Sequence, residues 1–175
     1  MQYLYSVQKE GALGDSRKPW VTSLFVLAAL SSGTLPDDAA HGESVQTACN
    51  WVLDNSSPSF FGGQEEPNTD HAAATLMLME LIGVAPAAEQ NSRLYQRAAL
   101  GLDSSLKMQD KGVGAEYAGG WRRNDQTRVN DRVLTAWSLH ALRSAELRGF
   151  QVASSSSRRA IEFVCASQKM GSTAK

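Results

Sequence analysis

DRVLTAWSLHAL, residues 131–142, aligns without gaps with two earlier segments of the same chain, PWVTSLFVLAAL at 19–30 and DHAAATLMLMEL at 70–81. Each opens on Pro or Asp, is apolar nearly all the way round, and is soon followed by a glycine: Gly33, Gly83 and Gly149. Pro is tolerated in a first helical turn, Asp suits a cap, and Gly ends helices because it reaches left-handed backbone at little cost. The segments therefore predict three helices of one kind, with Asp70 and Asp131 as caps. A helix without a polar face must be covered on more than one side, so these are inner helices.

Amphipathic segments stand between them. In ESVQTACNWVLDN (43–55), Val45, Ala48, Cys49 and Val52 recur at i, i+3, i+4, i+7. In RLYQRAALGLDSSLKMQ (93–109), Leu94, Ala98, Leu102 and Leu106 recur every fourth residue, and in SSSRRAIEFVCASQ (155–168), Ala160, Ile161, Val164 and Cys165 form a similar stripe. Each such helix has one face to bury. MQYLYSV (1–7) reads as the end of a fourth, and Gln8, Asn55, Gln109 and Gln168 close the outer helices. The order is outer helix, turn, inner helix, turn, with inner helices about 50 to 60 residues apart. Such recurrence marks a repeat protein. The expected fold is all-α, a single domain over 1–175 with about three inner and four outer helices in two layers.

The turns share a pattern. MQDKGVGAEYAGGW (108–121) corresponds to SVQKEGALG (6–14) and LDNSSPSFFGG (53–63). In the first of these, Gln109 can satisfy carbonyls at a helix end or the start of a neighbouring helix. Gly119 and Gly120 let the backbone bend. Trp121 supplies a large apolar plug with one donor to satisfy.

A Gln, then glycine, then Gly-Gly-Trp between an outer and an inner helix resembles the repeat motif of the terpenoid cyclase and protein prenyltransferase α/α-toroid superfamily. It is similar in particular to bacterial prenyltransferase or squalene-oxidase repeat proteins. The likeness covers nearly the whole chain, best at Gln109–Leu142 and next at Gln8–Leu30. It degenerates in the second unit, where Asn55 replaces Gln and Phe60 and Phe61 precede the glycines. The resemblance implies a ring of hairpins around a cavity for hydrophobic substrates such as isoprenoids. Three inner helices would supply half of such a ring, a partial toroid. Either the chain is a fragment of a longer protein, or a second copy covers the open edge.

With 17 basic against 18 acidic side chains and a net charge of -1, no electrostatic footprint for nucleic acid exists. Cys49 and Cys165, far apart on apolar stripes, read as buried thiols of a reducing, cytoplasmic compartment. The apolar run at 21–30 follows Arg17 and Lys18 as a secretion signal would, yet Glu10 and Asp15 precede it. It is also far short of the roughly 20 residues that span a bilayer.

The squalene-type cyclases implied by the resemblance start with a DxDD acid motif, which is absent here. Asp37 and Asp38 follow Pro36 and read as a turn or cap. Asp125 and Asp131 stand among Arg122, Arg123, Arg128 and Arg132, which would keep them ionised. That cluster is either a set of surface ion pairs or, with the helix start, a site for a diphosphate. Protein prenyltransferases hold zinc with Asp, Cys and His, but Asp-x-Cys is missing and His41, His71 and His140 are scattered, so no metal or cofactor is expected. His71 reads as a cap beside Asp70, and His140 as a hydrogen-bonded core residue. Phe25, Met77, Met79 and Trp137 are either core or the wall of an isoprenoid cavity.

The leading expectation is a binding or structural module for a hydrophobic small molecule or a protein partner, without a recognisable catalytic motif. The rival is a cyclase- or prenyltransferase-like enzyme, or half of one, with the four arginines at the mouth and Met77, Trp137 and His140 in the wall. Geometry separates them: an open cavity lined by these residues favours the rival, solid packing the first.

Overall fold

The computed structural model describes residues 2–84, 88–112 and 118–172; the 113–117 part of the third turn lies outside the described residues. Among the described residues seven helices follow in order: α1 (Gln2–Ser6), α2 (Lys18–Ser31), α3 (Gly42–Asp54), α4 (Pro67–Leu81), α5 (Ala88–Met108), α6 (Arg132–Leu147) and α7 (Ser154–Ser172). Extended pairing among the described residues is limited to isolated bridges at Lys9–Ala12 and Trp121–Asp131, so the chain is all-α. The inner helices form a row, with α4 between α2 and α6. Outer helices back them: α3 lies on α2, α5 on α4 and α7 on α6.

The stop signals act as expected. Gly33, Gly83 and Gly149 each sit at φ +86. After α2, Gly33 N donates to Leu30 O and Thr34 N to Ala29 O; after α6, Gly149 N donates to Glu146 O and Phe150 N to Ala145 O. This pair of reversed bonds satisfies the last carbonyls of each helix. The start signals hold for one Asp only. Asp131 caps α6, its Oδ1 accepting from Leu134 N at 2.8 Å. Asp70 is no cap, because α4 begins at Pro67 and Asp70 falls within the first turn, fully buried. Gln168 closes nothing either, since α7 continues to Ser172.

Burial separates the three inner helices. In α4 every residue from Asn68 to Met79 is buried, as its lack of a polar face requires. The flanking α6 exposes Arg132, Val133, Ala136, His140 and Arg143, so the expectation that all three are covered on several sides fails at the end of the row. The stripe on α7 fails for the same reason. Ser156, Ala160 and Phe163 are buried against the bundle, while Ile161 and Cys165 are exposed. Among the described residues no inner helix lies against that side of α7, and the expected buried thiol at Cys165 is a surface one. Cys49 is buried as expected.

The turns are fastened by one device in the first and third units. Gln8 Nε2 donates to Gly11 O at 3.1 Å and to Ser44 O, in the first turn of α3, at 3.0 Å. Gln109 Nε2 donates to Gly119 O at 2.8 Å and to Ser156 O, in the first turn of α7, at 2.9 Å. Gly11 and Gly119 both have positive φ, +91 and +98. In the second unit Asn55 is too short for this and bonds only back to Trp51 O at 2.9 Å. There the donor comes from the other side: Arg97 on α5 reaches Leu53 O at 2.9 Å and Ser57 O at 2.8 Å, and its guanidinium lies over Phe61.

Each turn then plugs the core. Leu13, Phe61 and Trp121 are buried, and each hands its backbone N–H to a side chain of the following inner helix: Thr22 at 3.0 Å, His71 at 3.1 Å and Thr135 at 3.1 Å. His71 is therefore not a cap. Its ring stacks with Phe60 and Phe61, and since Nδ1 accepts, the proton belongs on Nε2, where Gly101 O and Ser105 Oγ both lie 3.1 Å away.

This placement has a pH consequence. Burial pushes the His71 imidazole down to about 4, so it stays neutral in the native state while the unfolded chain takes up the proton near 6.5. As pH falls between those values the unfolded state binds the extra proton, and stability present above pH 6.5 is lost toward pH 4, by about 3 kcal/mol. Asp70 acts oppositely, since burial raises its carboxyl and stability is lost as pH rises through its range. Urea midpoints of wild type and His71→Gln across this window isolate the histidine: the variant's curve should be flatter in that span.

Candidate functional site

Among the described residues one face of the inner row is left uncovered by outer helices, and it forms a groove of about 780 Å³. Helical spacing assembles it. On α6, Val133, Trp137, His140 and Ser144 recur at i, i+4, i+7, i+11, while the buried Leu134, Ala141 and Ala145 occupy another stripe of the helix. Leu27 and Ser31 come from α2, Leu76 and Glu80 from α4, and Val164 and Gln168 from α7. From Val133 to Ser144 the stripe rises about 17 Å. Its apolar lining is Leu27, Leu76, Val133, Ala136, Trp137 and Val164, interspersed with polar groups such as Glu80, Arg132 and His140.

Trp137 is half-buried and meets Trp20 edge to face, ring centroids 5.1 Å apart at 74°. Arg17 lies over the Trp20 ring, 5.0 Å from its centroid. Glu80 accepts a hydrogen bond from Ser144 Oγ and faces Arg148 at 3.6 Å. Arg148 also donates to Met79 O at 3.1 Å, which ties the end of α6 to the end of α4.

The opposite polar cluster spans the starts of the inner helices. Arg17 donates to Asp70 Oδ1 through Nε at 3.1 Å and Nη2 at 2.7 Å, and its Nη1 meets Glu66 at 2.9 Å. Glu66 also pairs with Arg123 at 3.3 Å, and Arg123 Nε with Asp131 Oδ2 at 2.8 Å. Asp70 Oδ2 accepts from Gly63 N at 3.2 Å. Burial pushes the Asp70 carboxyl up, and Arg17 and the Gly63 N–H hold it down. Arg17 itself sits in left-handed backbone, φ 48, where a non-glycine residue is uncommon.

The candidate ligand residues are thus divided. Arg132, Trp137 and His140 line the groove. His140 is exposed, not a core residue, and Met77, like Met79 and Phe25, is packed in the core. Arg123 is held by Asp131 and Glu66, Arg122 by Asp110 at 2.9 Å, and Arg128 is exposed in the loop before α6. The four arginines do not converge on the groove, and the start of α6 is occupied by Asp131's own carboxylate. Asp38 accepts from Ala40 N and His41 N, the expected turn role. Among the described residues no group of three His, Cys, Asp or Glu is placed to hold a metal ion, and no helix is long and apolar enough to cross a membrane.

Sequence reasoning missed Glu80, Leu27, Leu76 and Val133 as groove residues, and the Arg17–Asp70 pair. Glu80 alone left a signal, as the single charge within LMLMEL. No family model, curated protein or solved structure matches the chain.

Proposed function

We propose that this chain is a helical-repeat binding domain of the α/α-toroid type, which holds an apolar small molecule of isoprenoid kind along the uncovered face of its inner helices. The observation that carries the reading is the groove itself: a long, largely apolar groove with a half-buried tryptophan and a few polar side chains among its lining residues. Sites for small hydrophobic ligands have this composition. Catalysis is the weaker reading. The groove's carboxylate, Glu80, is engaged by Ser144 and faces Arg148, whereas an acid catalyst needs a carboxyl free to deliver its proton.

Titration with a long-chain isoprenoid alcohol, followed by tryptophan fluorescence, tests it. Saturable binding is expected, weakened at least tenfold, about 1.4 kcal/mol, in Trp137→Ala with helical content unchanged. Binding equal in wild type and variant, or absent from both, would sink the proposal.

A further inference from the structure

Among the described residues, the flank of α2 away from α4 and the flank of α6 away from α4 meet no further inner helix. Within the chain each inner helix is covered by the next, α4 on α2 and α6 on α4. The α4 residues Thr75 and Met79 are fully buried, whereas Ala136 and His140, at the aligned positions of α6, are exposed. With Leu139, Ile161 and Val164 they line an apolar cleft of about 440 Å³ between α6 and α7. At the other end α2 leaves Ala28 exposed and Val21 and Leu24 half-buried, one strip at i, i+3, i+7.

The charges at the two ends match as well. Ion pairs cross both internal junctions at the helix starts, Arg17 to Glu66 and Asp70 between α2 and α4, and Glu66 to Arg123 between α4 and α6. Among the described residues Arg132, at the start of α6, meets no carboxylate and donates only to Ser167 O at 3.4 Å. Asp15, just before α2, shares a surface cleft with Lys9 and Lys18 but is in no ion pair among the described residues. The next pair of the series is missing a member at each end.

We propose that the two ends belong to each other: the α6/α7 cleft of one copy receives the Val21–Leu24–Ala28 strip of a second copy, inner helix against inner helix, with Arg132 facing Asp15. The chain's own repeat shows what covers such a face, because α6 covers α4 in the same way. The contact joins unlike surfaces, so it closes into a ring or extends by further copies.

Light scattering on the 175-residue chain over a range of concentrations tests this. The expected mass exceeds the single-chain 18.9 kDa and rises with concentration. Ala136→Glu places a charge in the cleft at a position already exposed to solvent, and should weaken self-association at least tenfold with the circular dichroism unchanged. Asp15→Arg and Arg132→Glu should each weaken it, and the two together should restore it. A single-chain mass at the highest soluble concentration overturns the proposal. So does association that is indifferent to Ala136→Glu, or a double charge exchange no better than the single ones.

Discussion

Trp121→Ala is expected to lower the unfolding free energy by about 4 kcal/mol, the range for deleting a large aromatic from a packed core. The side chain is 1% exposed, and its indole N–H donates to Ser105 O of α5 at 2.7 Å. Its backbone N–H is held by Thr135 of α6, so the residue fixes the wedge between those helices. Trp121→Phe should cost less, because most of the apolar area stays while Ser105 O loses its donor, a loss of about 1 to 3 kcal/mol. Urea unfolding with an unchanged slope checks both values. A cost below about 1 kcal/mol for the alanine variant would mean that the turn is not part of the core.

Gly119→Ala is expected to cost about 3 kcal/mol from two separable sources. The backbone sits at φ +98, where a side chain costs roughly 1–2 kcal/mol. A Cβ there would also lie 2.3 Å from Arg159 O, backbone of α7 that has to move aside, at about 1–3 kcal/mol. Gly33→Ala is the control. It shares the left-handed backbone, φ +86, but nothing lies within 4 Å of the added carbon. The difference between the two unfolding free energies therefore measures how tightly α7 is pressed onto the third turn. Equal costs would show that the steric part is absent.

Much of this architecture was legible because its signals are local. A glycine shortly after an apolar run acts on backbone within a few residues, and a glutamine at an outer helix end marks a turn whatever carbonyl it later finds, so Gly33, Gly149, Gln8 and Gln109 do what their positions suggest. Failures came where a partner lies far along the chain. Asp70 looked like a cap until Arg17 claimed it, and His71 owes its role to Phe61, Gly101 and Ser105. The degenerate second turn concealed its fastener because Arg97 supplies it from the next outer helix. Periodicity also carries no information about which flank of a helix is covered, so it read α6 and α7 as if each had neighbours on all sides. The groove shared this blindness: Leu27, Leu76 and Val133 are indistinguishable from core by residue type, and only the absence of a covering layer makes them a surface.

The fasteners on the turns have a consequence for how the molecule comes apart. Gln8, Arg97 and Gln109 each link a turn to an outer helix that belongs to the following hairpin. No hairpin is therefore self-sufficient; part of its rigidity is lent by its successor, and the free energy of the array resides at junctions as much as within units. If α7 peels away, Gln109 and Gly119 lose their anchor together, and the third turn is unlatched before its own inner helix has moved. Fraying would then travel from neighbour to neighbour, like a zip with its slider at the end of the row.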